Sequence, residues 1–361
     1  MELKYQNVLF FTRTMKLGGT ENVILQMCEV LKPYVNKIVV CSCGGINVKK
    51  LNKLDISHYI IPDIDSKSPS TIIRVFSKIS KIIEQENITI VHTHHRMATF
   101  YMFFLKRLYH VKLVSTLHGT FVDKKIFTKI IYRQIEIIAC GKIVKKNFVE
   151  RYKIDERQIT VVSNAIEKEK SKLVKLDCLS LLNQDYRKVG YIGRLSPEKG
   201  VDILIDSIVL VHKKNPKIIF VIAGNGNLEN YLKEKVRQEK LTEYVYFLGY
   251  REDAQNIVKQ MDATILPSFT EGLPLTPIES FAHGKPVVAT AVGGTIEIVE
   301  NEKNGILVPP GDKVALSEGI LKLFSDERKY KQMCEEAYKT YIEKFSFEKF
   351  EKEILSFYKK I

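Results

Sequence analysis

No run of about 18 apolar residues occurs in this sequence, so no membrane-spanning helix is expected. The opening residues, Met1-Glu-Leu-Lys-Tyr-Gln, lack the apolar stretch that a secretory leader needs. Six cysteines are present (Cys28, Cys41, Cys43, Cys140, Cys178 and Cys334), and no two stand in a C-x-x-C spacing. That pattern disfavours a zinc site and points to reduced, structural thiols in a cytosolic protein. The glycine turn after the first apolar run, Gly18-Gly19-Thr20-Glu21, is not a G-x-G-x-x-G fingerprint, which disfavours a dinucleotide-dependent oxidoreductase.

What is there is enough for two domains: 361 residues with ordinary apolar content. The charge is uneven. Residues 1–170 carry 28 Lys and Arg against 15 Asp and Glu, while the remainder carries 28 against 27. Nearly all of the net +14 therefore belongs to the first half. Such a half suits a polyanion: anionic lipid, lipid-linked phosphate or nucleic acid. A lysine-rich, solvated surface is the plainer alternative.

Apolar runs alternate with helical patterns. The first half opens with a strand from Val8, the Gly18-Gly19 turn and a helix over Thr20–Leu31. Further strands are expected at Ile38–Cys41, Ile88–His92, Leu113–Leu117, Ile137–Ala139 and Ile159–Ser163. The pattern weakens over Glu167–Arg187. It restarts with strands at Val189–Gly193, Ile218–Ala223, Val245–Gly249, Asp262–Pro267 and Gly284–Thr290. Strands alternating with helices imply parallel sheets covered on both faces. The expected architecture is α/β, with two doubly wound, Rossmann-like domains facing across a deep cleft. The boundaries are 1–168, a linker region 169–187, and 188–345. A last amphipathic helix, about Phe347–Tyr358, puts Phe350, Ile354 and Phe357 on one side.

The densest signal is Glu271-Gly-Leu-Pro-Leu-Thr-Pro-Ile-Glu279, two carboxylates eight positions apart across a strand-to-helix turn. A helix that follows a parallel strand points its N-terminus at the ligand crevice, where it attracts anions. Carboxylates beside an anion site suit a ligand with both phosphates and hydroxyls, such as a nucleotide sugar. Thr276-Pro277-Ile278-Glu279 also fits a capping box with proline at the first helical position, whereas Glu271 has no such structural reading. In Gly193-Arg-Leu-Ser-Pro-Glu-Lys-Gly200, Arg194 and Lys199 are spaced for a diphosphate. The alternative is a surface loop in which Glu198 pairs with a cation. His118 ends an expected strand and is followed by Gly119-Thr120. His92, His94 and His95 cluster at another strand end, where metal binding lacks a second ligand set. Asp63-Ile64-Asp65 matches a D-x-D metal pattern but lies in a polar stretch between prolines and reads as loop.

Taken together, Glu271–Glu279, the Gly193–Gly200 loop, Gly18-Gly19 and the His118-Gly119-Thr120 turn resemble the retaining glycosyltransferases of family 4, with the GT-B fold. The likeness spans nearly the whole chain, and its motifs are most specific in the second half. It implies a second domain that holds a nucleotide sugar, UDP-sugar favoured. The first domain would hold the acceptor, with segment 346–361 packing back on it. By position, Arg194 and Lys199 would hold the diphosphate and Glu279 would accept hydrogen bonds from the ribose. Glu271 would contact the donor sugar, with the backbone at Gly272, Leu273, Pro274 and Leu275 lining sugar and phosphate. Gly18 and Gly19 would close over the diphosphate, and His118 would face the sugar near the reacting carbon. Gly224, Asn225 and Gly226, with Tyr250 and Arg251, would lie near the base. The chain departs from the family at Asn164-Ala165-Ile166-Glu167, where relatives often carry Asn-Gly-hydrophobic-Asp. The implied mechanism is front-face attack with retention. The leaving diphosphate is stabilised electrostatically by Arg194, Lys199 and the helix N-terminus, while the other catalytic candidates, Glu271 and His118, act at the donor sugar, without a metal or other cofactor.

The stretch Val122–Arg133 interleaves apolar and basic positions. It reads as a helix for an anionic membrane surface, with Lys124, Lys125, Phe127, Lys129 and Arg133 as contacts. An ordinary helix with its apolar face in the core is the alternative. The expected function is transfer of a hexose or N-acetylhexosamine to a lipid-linked or cell-surface glycan acceptor, in a bacterial cytoplasm at the inner face of the membrane. Alternatives are a nucleotide-sugar epimerase or small-acceptor transferase of the same fold. A nucleic-acid-binding protein is the alternative of another class, and the chain holds no recognised motif for one.

Overall fold

The computed structural model describes residues 2–169, 171–179 and 185–361. Lys170 and residues 180–184, inside the expected linker region, lie outside the described residues. The chain resolves into two compact units: one runs to Asn164 and includes Glu348–Ile361, and the other is Ala165–Phe347.

Among the described residues the first unit holds seven parallel strands: β1 (Asn7–Phe11), β2 (Lys37–Ser42), β3 (Ser57–Ile60), β4 (Ile90–Thr93), β5 (Lys112–Leu117), β6 (Glu136–Ala139) and β7 (Ile159–Val161). Their order is β3-β2-β1-β4-β5-β6-β7. The second unit holds β8 (Arg187–Ile192), β9 (Ile218–Ala223), β10 (Val245–Gly249), β11 (Ala263–Leu266), β12 (Val287–Thr290) and β13 (Gly305–Val308). Their order is β10-β9-β8-β11-β12-β13. Central strands such as β1 (NVLFF) and β9 (IIFVIA) are buried at every residue. Both faces of the sheet are covered, so these strands read as continuous apolar runs rather than alternating ones. Two strands escaped the sequence pattern. β3 is a polar, half-exposed edge strand, and β13 is a four-residue strand at the opposite kind of edge in the other sheet.

Each sheet reverses its winding once. β1 lies between β2 and β4, and β8 lies between β9 and β11. Ligands of open α/β sheets bind beyond the carboxyl ends of strands at such reversals. The loops after β8 and β11 are the two motif-bearing segments.

The last helix, Phe347–Lys360, belongs to the first unit and buries Phe350, Ile354, Phe357 and Tyr358. The Tyr358 hydroxyl lies 2.6 Å from Nδ1 of fully buried His92, whose Nε2 is 2.7 Å from the Thr116 hydroxyl. No helix among the described residues is long and apolar enough to cross a membrane. Tyr358→Phe would leave Nδ1 of His92 buried and unpaired, at a cost of about 1–3 kcal/mol. Urea denaturation should therefore show a lower midpoint, and an unchanged midpoint would contradict this anchoring role.

Candidate active site

In the second unit the loop after β8 is fixed by its backbone. The Tyr191 hydroxyl donates to the Arg194 carbonyl at 2.6 Å, and the Leu195 amide donates to the Asn225 carbonyl at 2.9 Å. The Gly224 amide in turn donates to the Gly249 carbonyl at 2.7 Å. The Gly224-Asn225-Gly226 turn after β9 thus supports the Gly193–Gly200 loop, a role the sequence did not reveal. Gly200 has φ +63°, and a Cβ there would stand 2.1 Å from the Pro267 carbonyl oxygen. Only glycine allows the loops after β8 and β11 to pass this closely. The Phe269 amide adds a second stitch, donating to the Glu198 carbonyl at 2.9 Å.

Across these loops Lys199 Nζ meets Glu271 Oε1 at 2.7 Å, and the Ser268 hydroxyl donates to the same oxygen at 2.6 Å. Both side chains are largely buried, at 21% and 9% exposed. No structural partner for Glu271 is evident in the sequence; the structure supplies one, because the glycine-permitted approach brings Lys199 to it. The Glu271 backbone is clamped from behind by Gly293-Gly294. The Gly294 amide donates to the Gly272 carbonyl at 2.7 Å, and a Cβ at either glycine would stand 1.9 Å from a carbonyl oxygen of Glu271 or Gly272. Thr290 completes the support, donating to the Ser268 carbonyl at 2.5 Å. Ser268, Thr290, Gly293 and Gly294 were missed from sequence. The available signal was Gly293-Gly294-Thr295, which repeats Gly18-Gly19-Thr20.

Arg194 is held more loosely. Its side chain is 75% exposed and lies 3.8 Å from Glu198, whose carboxyl is held below its usual range chiefly by the Ser196 hydroxyl. The local Glu198 pairing expected of a plain surface loop is therefore present, yet the guanidinium remains available to a ligand.

The helix Leu275–Ala282 has Pro274 at its N-cap and no side-chain cap. The capping box expected for Thr276–Glu279 does not form. The helix starts two residues earlier than that box requires, and the Thr276 hydroxyl donates instead to the Ile192 carbonyl at 3.2 Å. Glu279 falls one turn inside the helix, half-buried and with no hydrogen bond among the described residues. Burial pushes its pKa up to about 7. An unpaired carboxylate in the first turns of the helix that follows β11 can accept from ligand hydroxyls. At the sheet edge after β10, Tyr250 is 44% exposed and Arg251 is bound bidentately to Asp253 at 2.8 and 2.7 Å. The expected residues of the second unit thus gather at the carboxyl ends of β8 to β11.

In the first unit Gly18 is extended and Gly19 begins the helix Gly19–Leu31. The Thr14 hydroxyl donates to Glu21 Oε1 at 2.6 Å, so an internal carboxylate occupies that helix N-terminus. His118 Nε2 lies 2.9 Å from His94 Nδ1, and the rings of His92, His94 and His118 stack in series at 4.5 and 5.2 Å. Burial pushes His118 down to about 4 and His92 to about 3, and lowers His94 well below its ordinary value. All three are neutral at pH 7. His95 is not part of the stack; its Nδ1 accepts from the Met97 amide at 3.2 Å and its Nε2 lies 3.8 Å from Asp65. Asp63 and Asp65 lie in a loop and hold Arg13, Asp63 through bonds of 2.9 and 2.8 Å. No group of three His, Cys, Asp or Glu side chains among the described residues is placed to hold a metal ion.

The stretch expected to be helical over Val122–Arg133 is helical only over Lys125–Ile131. Asp123 is drawn instead to Arg96 by two bonds of 2.7 and 3.1 Å, which fixes the preceding turn. Val122, Ile126 and Ile130 are exposed at 74%, 76% and 49%, beside exposed Lys124, Lys125, Lys129 and Arg133. Ile131 is buried, and Phe127 packs against Phe100 in a tilted contact with ring centroids 5.5 Å apart.

Comparison with known proteins places this geometry. Residues 17–170 match the Glycosyltransferase Family 4 profile and residues 179–340 match Glycosyl transferases group 1. An uncharacterized glycosyltransferase of Methanocaldococcus jannaschii is 30% identical over 75% of this chain and 76% of its own length. The UDP-Gal:alpha-D-GlcNAc-diphosphoundecaprenol alpha-1,3-galactosyltransferase of Escherichia coli is 27% identical over 86% of each chain. Among solved structures, a glycosyltransferase from Rickettsia africae superposes with TM-score 0.85 at 24% identity, covering 98% of each chain. Anabaena HepE in complex with UDP superposes with TM-score 0.85 at 21% identity, covering 99% of this chain and 100% of that one. Two parallel-sheet units, the Gly193–Gly200 loop and the Glu271–Glu279 segment thus coincide with a family-wide match, and the chain is a glycosyltransferase of family 4 with the GT-B fold.

Proposed function

We propose that the enzyme is a retaining glycosyltransferase that moves a hexose or N-acetylhexosamine from a UDP-sugar to a lipid-linked or cell-surface glycan acceptor. The observation that carries this is that the loops after the adjacent strands β8 and β11, joined by the Lys199–Glu271 pair, bear Lys199, Arg194 and the start of the helix that carries the unpaired Glu279. It offers positive potential for a diphosphate and an acceptor for hydroxyls within one site. The names of relatives support the substrate class. One acts on a diphosphoundecaprenol-linked sugar from UDP-Gal, and a Staphylococcus aureus relative 30% identical over 53% of this chain serves capsular polysaccharide biosynthesis. The structural neighbour from Anabaena has also been solved with UDP-glucose.

In this reading Arg194 and Lys199 hold the diphosphate, Glu279 takes the ribose hydroxyls and Glu271 orients the donor sugar. The backbone at Gly272–Leu275 lines sugar and phosphate, and Tyr250 and Arg251 flank the base. The leaving diphosphate gains charge as the glycosidic bond breaks and helps to take the acceptor proton. Fixed positive groups stabilise it, each strong donor contributing roughly 3–4 kcal/mol, and no metal is required. The exposed Val122, Ile126 and Ile130 among lysines suit contact with an anionic membrane, each Lys adding on the order of 1 kcal/mol.

Arg194→Ala, at an exposed position, should keep the melting temperature and lower transfer by about 10²-fold; normal turnover would remove Arg194 from the site. Glu279 supplies a pH signature. Its folded pKa is raised from 4.5 to about 7, so the ligand-free protein should lose stability as pH rises from 4.5 through 7. A ribose that donates to the ionised carboxylate should bind more tightly over that same rise. Titration of UDP at pH 6 and pH 8 should show this dependence diminished in Glu279→Gln, and an identical dependence in both proteins would contradict it. Replacing Lys124, Lys125 and Lys129 with Glu should sharply reduce flotation with phosphatidylglycerol vesicles, and unchanged flotation would contradict the membrane contact.

A further inference from the structure

The stretch after Ala165 falls where the sequence pattern weakens, yet its described residues are held to the second unit by an ordered set of bonds. Three carboxamides, from the short helix Ala254–Lys259 and its C-cap Gln260, grip its backbone, and each uses both its donor and its acceptor. Gln255 donates to the Glu167 carbonyl at 2.9 Å and accepts from the Glu169 amide at 2.8 Å. Asn256 donates to the Val174 carbonyl and accepts from the Val174 amide, both at 2.9 Å. Gln260 donates to that same carbonyl and accepts from the Leu176 amide, both at 2.9 Å. Side chains thus satisfy backbone groups that no strand or helix pairs. Leu176 is buried in one apolar cluster with Val221 and Ala223 of β9 and with Ile257.

Asn256 reaches further than the other two. It is 3% exposed, and its Nδ2 also donates to Asp253 Oδ2 at 3.1 Å. Asp253 is the residue that binds Arg251 bidentately. A line of bonds therefore runs from the Val174 backbone through Asn256 and Asp253 to Arg251. The Arg251 guanidinium is held above its usual range chiefly by Asp253, and Asp177 of the same stretch adds to this. The pairing occupies Nε and Nη2, and Nη1 makes no hydrogen bond among the described residues. A planar guanidinium fixed by two bonds has its remaining donors aimed as well. Without Asn256, Arg251 and Asp253 would stay paired but could swing together, and that lost preorganisation would weaken a ligand held by Arg251.

We propose that Asn256 is a positioning residue for the nucleotide's base: by tying Asp253 to the Val174 backbone, it fixes the direction in which Arg251 donates to a uracil carbonyl oxygen. Asn256 itself touches neither base nor phosphate. This role rests on the donor reading, in which Arg251 flanks the base. It also gives the stretch after Ala165 a part in donor binding.

The test is calorimetric titration of the full chain with UDP and with inorganic diphosphate. Diphosphate has no base, so it reports the loop of Arg194 and Lys199 alone. Asn256→Leu keeps the side chain's approximate shape and removes its hydrogen-bonding atoms. It should weaken UDP by about fivefold or more and change diphosphate by less than about twofold. In an Arg251→Ala background the same substitution should change UDP binding by less than about twofold, because both residues act through one contact. Equal UDP affinity in the parent and Asn256→Leu proteins would overturn the proposal. So would an equal loss for UDP and diphosphate, which marks a general loosening of the unit, or a full further loss in the Arg251→Ala background. Should Asn256→Leu not fold, Asp253→Asn cuts the same line at a partly buried position, with the same expected split between UDP and diphosphate and the same contrary results. Failure of the parent protein to bind UDP while it binds diphosphate would overturn the donor reading and this role with it, whereas UDP binding that ignores Asn256 would overturn this role alone.

Discussion

The ion pair between Lys199 and Glu271 is the constraint around which the second unit's site is arranged. It joins the loop after β8 to the loop after β11, the two strands between which the sheet reverses. Its formation requires Gly200 to pass against Pro267, Gly293-Gly294 to clamp Glu271 and Gly272, and Ser268 to complete the carboxylate. A largely buried pair of this kind is weak evidence for stability, since desolvation offsets much of the attraction. What it provides is position. It ties the loop that bears Lys199 and the exposed Arg194 to the loop that leads into the helix Leu275–Ala282, which carries the unpaired Glu279.

Much of this arrangement was legible in the sequence because it depends on local spacing. Apolar runs buried on both faces announced β1, β9 and the other central strands. The fold class and the location of the Glu271–Glu279 segment on a strand-to-helix turn followed from the same pattern. What the sequence could not show was pairing at a distance. Lys199 and Glu271 are 72 positions apart, and nothing local declares them partners. The capping box at Thr276 was a misreading of the same kind. The Thr276 hydroxyl has a better acceptor in Ile192, 84 residues away, so a local motif lost to a tertiary one. The short edge strand β3 was missed because a half-exposed strand of four residues carries no pattern.

The first unit follows a different logic. Its histidines looked like candidate ligands at a strand end, but folding buries them in a stacked series from His92 to His118. Tyr358 of the last helix bonds to the innermost ring, so a residue 266 positions away orders the series that ends at His118. Burial keeps these rings neutral, which makes them hydrogen-bonding rather than charged elements. The excess positive charge of this half resides instead on exposed lysines, including those around Val122, Ile126 and Ile130.

The proposed donor site requires the second unit to bind a nucleoside diphosphate through fixed protein groups. A thermal-shift comparison of UDP, GDP, ADP and TDP without added metal tests it most directly, because a ligand that binds the native state raises its apparent stability by mass action. A clear upward shift is expected with UDP, larger than with the other diphosphates and lost in Lys199→Ala. No shift with any diphosphate, or an equal shift in that variant, would contradict it.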